Sequence, residues 1–233
     1  MTNYIHINET NKEFHLTNGK ISYIFRVMEQ TNTLEQLYAG KTIKHRESFA
    51  HLIEREVRPS NKQVTGDHTT SLEHVKQVMP VYGTTDFRYP GLEIRYPEGD
   101  RISQFEYQSY QVEKGKKKLP DLPATFAGAE EATTLRILLK DRYSDLILTL
   151  SYTIFHELSA LTRHAEIKNT GEKTFQLERL MSLSVDLPTD DYDFIHLHGA
   201  WAREAHLERK PLMTGVQSVS STRGASSHVH NPS

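Results

Sequence analysis

Apolar and polar residues alternate with a period of two along most of this chain, and clusters of Gly, Pro, Asn and Asp interrupt the runs. The stretch Leu146 to Phe155 shows the pattern best. Leu146, Leu148, Leu150, Tyr152 and Ile154 fall on one side of an extended backbone, and Ile147, Thr149, Ser151 and Thr153 on the other, because successive strand side chains point to opposite faces. The first set predicts a buried face, the second a solvated one. Runs from Glu13 to Thr17 and from Lys20 to Val27 flank Asn18-Gly19, a pair that tolerates the positive φ angles of a type I′ hairpin turn.

Further strands are predicted over Gly91 to Tyr96 and Arg101 to Tyr110, joined by Pro97-Glu98-Gly99-Asp100 as a second hairpin. Four more runs, Thr134 to Lys140, Leu146 to Phe155, Leu161 to Lys168 and Thr174 to Val185, read as an antiparallel meander. Helical periodicity is scarce. So many long strands without intervening helices predict an all-β fold, a large antiparallel two-sheet β-sandwich. Arg46 to Pro80 breaks the alternation, and a loop of that length inside a compact domain is either functional or disordered.

Composition narrows the function classes. At 233 residues a globule buries roughly 70% of its unfolded surface and needs no disulfide or metal to be stable. There are no cysteines, which removes disulfides, thiolate metal sites and cysteine nucleophiles together and fits a reducing cytoplasm. Twenty-eight basic residues stand against 30 acidic ones, a net charge of −2, so no chain-wide electrostatic footprint for nucleic acid is expected. The densest basic run, Lys114 to Lys118, reads as a solvated turn. No apolar run is long enough to cross a bilayer as a helix, and the first ten residues lack the charged and apolar segments of a signal peptide.

The candidate chemistry is sparse. His196 and His198 sit two apart, as do His228 and His230, so each pair faces one way on a strand. Neither is completed by the third and fourth ligands a zinc site needs, and hydrogen-bonded loop histidines are the simpler reading; no metal and no cofactor are expected. No Gly-x-Ser-x-Gly elbow is present. Asp186, Asp190, Asp191 and Asp193 cluster around Pro188, where turn and cap acceptors are the ordinary role. The residues by themselves thus predict a β-sandwich with a polar, histidine-rich loop edge and no catalytic set.

Four long segments carry a family likeness. Tyr82 to Ile94 (YGTTDFRYPGLEI), Leu122 to Phe126 (LPATF), Arg179 to Glu204 and Lys210 to Pro232 together resemble the N-terminal domain of microbial α-galactosidases of glycoside hydrolase family 36, in order and over nearly the whole chain. The resemblance implies a β-supersandwich over 1–233, incomplete at its C-terminal end, ahead of a (β/α)8 barrel that the chain lacks. In the family a retaining reaction removes α-linked galactose from oligosaccharides such as melibiose and raffinose, with a nucleophile Asp and an acid/base Asp on the barrel. Neither has a counterpart here, so no catalytic residue is assigned and the chain alone is expected to be inactive.

Two binding residues follow from the resemblance. Glu54 stands where an acidic residue of the long loop, often Asp, reaches a sugar site; a solvated loop carboxylate is the alternative. Trp201, the only tryptophan, matches a pocket tryptophan whose aromatic face would pack on a sugar ring; a core position is the alternative. Arg223 and His228 are pocket neighbours of lower rank, Arg223 reading better as a loop organiser. The implied partners are a galactoside and further copies of the parent enzyme, a homo-oligomer of tetramer type, with neither nucleic acid nor membrane. A stand-alone galactoside-binding sandwich is the competing function.

Overall fold

The computed structural model describes residues 3–57, 64–84, 86–120, 124–200 and 202–220. Trp201, Arg223, His228 and His230 lie outside them. The chain divides into two compact units, Met1–Asp186 and Leu187–Ser233.

Among its described residues the first unit holds ten strands. β1 (Ile5–Asn8), β2 (Glu13–Thr17), β3 (Ile21–Val27) and β4 (Leu34–Lys41) form one antiparallel sheet in sequence order. β5 (Leu92–Arg95) follows the long loop. β6 (Phe105–Lys114), β7 (Ala132–Asp141), β8 (Leu146–Phe155) and β9 (Leu161–Asn169) form the second four-stranded sheet, again in order. β10 (Gln176–Leu180) pairs with β5 in a separate two-stranded sheet. Among the described residues the only helix is a 3₁₀ turn, Ala50–Leu52.

The two large sheets share one core. Leu148, Leu150, Tyr152 and Ile154 of β8 have no exposed surface, as the alternation of β8 predicts. They meet Phe14, Tyr23 and Phe25 of the first sheet; the Tyr152 ring lies 5.4 Å from that of Tyr23 and 5.3 Å from that of Phe25. Each such side chain taken out of water contributes about 1.5–3 kcal/mol, and a face-to-face sandwich follows from burying one side of each sheet.

Three local expectations are corrected. Asn18-Gly19 does turn β2 into β3, but only Gly19 takes positive φ, +80°, so the turn is not type I′. Asn18 instead accepts hydrogen bonds from the Lys20 and Ile21 amides through Oδ1. Its Nδ2 donates to the carbonyls of Phe155 and Leu158; the side chain is spent on tying this turn to the β8–β9 connection. Pro97 to Asp100 makes a tight reversal, with the Gly99 amide bonded to the Tyr96 carbonyl, yet the strands it joins belong to different sheets, β5 with β10 and β6 with β7. The last run of the expected meander likewise leaves β9 and goes to β5, with a bulge between Leu177 and Arg179.

The Arg46 to Pro80 loop is packed where it is described. Phe49 joins Ile24 and Leu37 in a satellite cluster, and Leu72, Val75 and Val78 are buried. Residues 76–78 lie along the outer edge of β4: the Gln36 amide donates to the Lys76 carbonyl at 2.7 Å and the Val78 amide to the Leu34 carbonyl at 3.1 Å. The loop thereby covers a sheet edge that would otherwise be open to pairing.

Among its described residues the second unit holds a hairpin of β11 (Asp193–Ala200) and β12 (Arg203–Pro211). Ala202 and Ala205 take positive φ, +62° and +58°, a conformation costly for a residue with a Cβ, next to a register shift between His198 and Ala200.

Candidate functional site

Glu54 follows the 3₁₀ turn, and its position is set from the sheet beneath. Glu13, a buried carboxylate on β2, accepts hydrogen bonds from the Phe49 amide at 2.9 Å and the Ser48 hydroxyl at 3.2 Å. With the Phe49 ring seated among Ile24 and Leu37, the chain entering Glu54 is clamped at both backbone and side chain. Charge-assisted bonds from a backbone amide to a carboxylate are among the stronger ones in proteins.

The Glu54 carboxylate is 62% exposed and pairs through Oε1 with the Lys76 ammonium; Oε2 has no partner among the described residues. Lys76 sits on the strip that covers the β4 edge. The residues on either side of it, Val75 and Gln77, carry the next layer. Gln77 Nε2 donates to Asp86 Oδ2, and Arg88 Nη2 donates to the Val75 carbonyl at 2.6 Å. Arg88 grips Asp86 with a bidentate fork, Nε to Oδ1 at 2.9 Å and Nη2 to Oδ2 at 2.8 Å. Arg88 Nη1 also stands 3.5 Å from Asp186 Oδ1. Gln36 on β4 holds the Asp186 backbone from both sides, its amide nitrogen on the carbonyl and its oxygen on the N–H.

Three carboxylates thus alternate with two cations, which leaves one net negative charge among hydrogen-bond acceptors. Burial raises the Asp186 carboxyl above the usual carboxylate range. The Arg88 and Lys76 cations act against that rise, and the Asp86 and Glu54 charges add to it. Asp86 is sealed, with 1% of its side chain exposed, and both its oxygens are taken. Among the described residues Glu54 Oε2 and Asp186 Oδ2 have no partner, and Glu54 is the more exposed side chain, 62% against 33%. The arrangement suits holding a hydroxyl-rich ligand by one rigidly placed carboxylate.

Sequence reasoning singled out Glu54 and missed its setting. Asp86 and Arg88 lie within the quoted Tyr82 to Ile94 segment, and the alternation in Asp-Phe-Arg-Tyr was the available signal. Asp86 and Arg88 turn inward, while Phe87 and Tyr89 are 78% and 66% exposed. Lys76, Gln36 and Gln77 gave no signal, because their role comes from an edge pairing between residues far apart in sequence.

Of the other candidates, Asp193 pairs with Arg209 on the hairpin. His196 and His198 do face one way on β11, their ring centres 5.9 Å apart. His196 Nε2 is engaged by Glu208 at 3.0 Å, and the His198 ring stacks on that of His206 at 5.8 Å. No group of three His, Asp or Glu side chains is placed to hold a metal ion among the described residues. No helix there is long and apolar enough to cross a membrane.

Comparison with known proteins gives one consistent answer. Residues 32–233 match the Glycosyl hydrolase family 36 N-terminal domain. The chain is 41% identical over 226 residues to the α-galactosidase AgaA of Geobacillus stearothermophilus, covering 97% of this chain and 31% of that protein. The crystal structure of an α-galactosidase from Lactobacillus brevis superposes with a TM-score of 0.92 at 35% identity, covering 98% of this chain and 31% of the other. A Geobacillus stearothermophilus AgaA variant solved in complex with raffinose superposes at 0.88 with 40% identity, covering 95% of this chain and 31% of the other. The chain therefore spans about a third of the length of the relatives it matches.

Proposed function

Because the chain belongs to the glycosyl hydrolase family 36 N-terminal domain family, we propose that it serves as the amino-terminal β-sandwich of an α-galactosidase acting on terminal α-linked galactose. In this reading the groups that break the glycosidic bond, in a retaining mechanism, belong to a C-terminal barrel. This sandwich contributes Glu54 to the rim of the sugar pocket and surface to the assembly. The observation that carries the Glu54 assignment is its free Oε2, held outward by Lys76 and by a clamped loop. Asp in place of Glu would draw the carboxylate back by one methylene.

Exposed apolar groups support the assembly role. Phe87 and Tyr89 beside the charge cluster, and Ile195, Leu197 and Leu207 on the hairpin, all stand well out of the fold. A two-stranded hairpin is marginal alone in water, and exposed apolar patches mark contact surfaces. A homo-oligomeric parent gives those faces something to cover them. Trp201, between β11 and β12 in the sequence, keeps its proposed place against the sugar face.

Raffinose titrated into the 15N-labelled chain tests the binding part. Weak saturable shifts with a millimolar Kd are expected, centred on residues 50–56 and 76. Glu54→Ala should weaken them by about tenfold, the worth of a hydrogen bond to a charged group, with Glu54→Gln in between. Shifts that are absent, or equal in all three proteins, would remove Glu54 from the pocket.

A further inference from the structure

The outer face of the β6–β9 sheet carries a groove that the galactosidase reading does not use. Strand register builds its floor. Thr134 of β7 lies opposite Thr153 of β8, which lies opposite Thr162 of β9; one step along, Arg136, Ser151 and His164 form a second cross-strand row. The wall is the turn after β6, Lys116 to Pro120, and the volume of the open groove is about 300 Å³. Gly115 makes this wall possible. Its φ is +77°, and a Cβ there would stand 2.8 Å from the Ala127 carbonyl oxygen, so only glycine lets the turn close in the Lys116–Ala127 bridge.

The floor presents donors. The Thr134 hydroxyl donates to the Gly115 carbonyl at 2.7 Å and lies 2.8 Å from that of Thr153, so the single proton of Thr153 is directed at Thr134. Thr162 Oγ1, at the end of that row, is buried with no partner. Ser151 and His164 make no side-chain hydrogen bond among the described residues. Leaving a buried hydroxyl unpaired is destabilising, and a ligand acceptor would recover that cost. Around the floor stand Lys116, Lys117, Lys118 and Arg136 against Glu113 and Glu166; the Lys116 ammonium donates to the Thr125 carbonyl at 2.6 Å and that of Lys118 lies 4.4 Å from the centre of the Phe126 ring. Glu113 is already neutralised by Lys117 at 3.0 Å and Arg136 at 3.5 Å.

The geometry points to a binding site for a phosphate-type oxyanion, free or as a sugar monoester, on the hydroxyl floor formed by Ser151 and Thr162 with Arg136 and His164 beside it. Hydroxyl and guanidinium donors lining one groove beside a lysine-rich wall suit three acceptor oxygens and a double negative charge. The site is independent of Glu54 and stands or falls apart from the galactosidase reading.

Calorimetric titration of the whole chain with inorganic phosphate, galactose 6-phosphate and galactose tests it. One-to-one binding of phosphate is expected, weakening as salt rises, and weakening at least about tenfold in Arg136→Gln. Ser151→Ala and Thr162→Val, which change one hydroxyl each, should lose about three- to tenfold, with circular dichroism confirming the fold of every variant. Tighter binding of galactose 6-phosphate than of phosphate assigns the monoester; equal binding assigns the free ion. No saturation by either anion up to about 20 mM, galactose binding as well as phosphate, or variants that all bind like the parent would overturn the site.

Discussion

At the scale of single residues the loop that presents Glu54 is held partly by histidines. The rings of His6 and His45 stack with centres 4.1 Å apart, and His15 Nδ1 meets His45 Nδ1 at 3.1 Å while its Nε2 bonds Ser22 Oγ. Burial, with His45 and His6 close by, lowers the His15 pKa to about 4. The nearest carboxylate on β2, Glu13, is committed to Ser48 and Phe49. The unfolded chain therefore binds a proton at His15 near pH 6.5 that the folded chain refuses until about pH 4. Stability is full above the unfolded value and falls as pH drops through that window, by about 3 kcal/mol from this residue. Urea midpoints measured from pH 7 to pH 4 should show the fall, and His15→Gln should flatten it. An equal slope in both proteins would show that other groups carry the acid sensitivity.

At the scale of elements, what could be read in the sequence depended on whether alternation or distant pairing decided the outcome. The core strand β8 and its neighbours β7 and β9 were legible because one face of each is apolar and short polar turns join them. The pairing of β5 was not. Pro97 to Asp100 specifies a reversal, but turn chemistry says nothing about which strand the returning chain will bond, and β5 takes its partner from β10, about eighty residues on. Likewise Phe49, Leu72, Val75 and Val78 are buried without period, since irregular backbone presents side chains to the core at uneven intervals. Asn18 shows a turn serving the whole sandwich: two of its bonds reach the β8–β9 connection. Asn18→Ala should lower stability by about 1–3 kcal/mol, because the Phe155 and Leu158 carbonyls lose their donor. A thermal melt within about a degree of the parent's would show that water replaces it at no cost.

At the scale of the molecule, the site was legible as one residue and illegible as a site. Glu54 came from family likeness, whereas the alternating charges that fix it, Lys76, Arg88, Asp86 and Asp186, converge from three separate segments. Trp201 falls outside the described residues, so its pocket role stays a proposal on likeness. We propose that binding and assembly belong to this chain and bond cleavage to the further length that the matched relatives carry. At the charge cluster Glu54 and Asp186 each keep one oxygen beside a cation, Lys76 and Arg88, which holds both carboxylates as acceptors.

The most direct test is release of p-nitrophenol from p-nitrophenyl α-galactoside by the purified 233-residue chain. The account predicts a rate indistinguishable from buffer at any protein concentration. Release that rises in proportion to the chain and follows it through a final sizing column would contradict it, placing catalytic groups inside the sandwich itself.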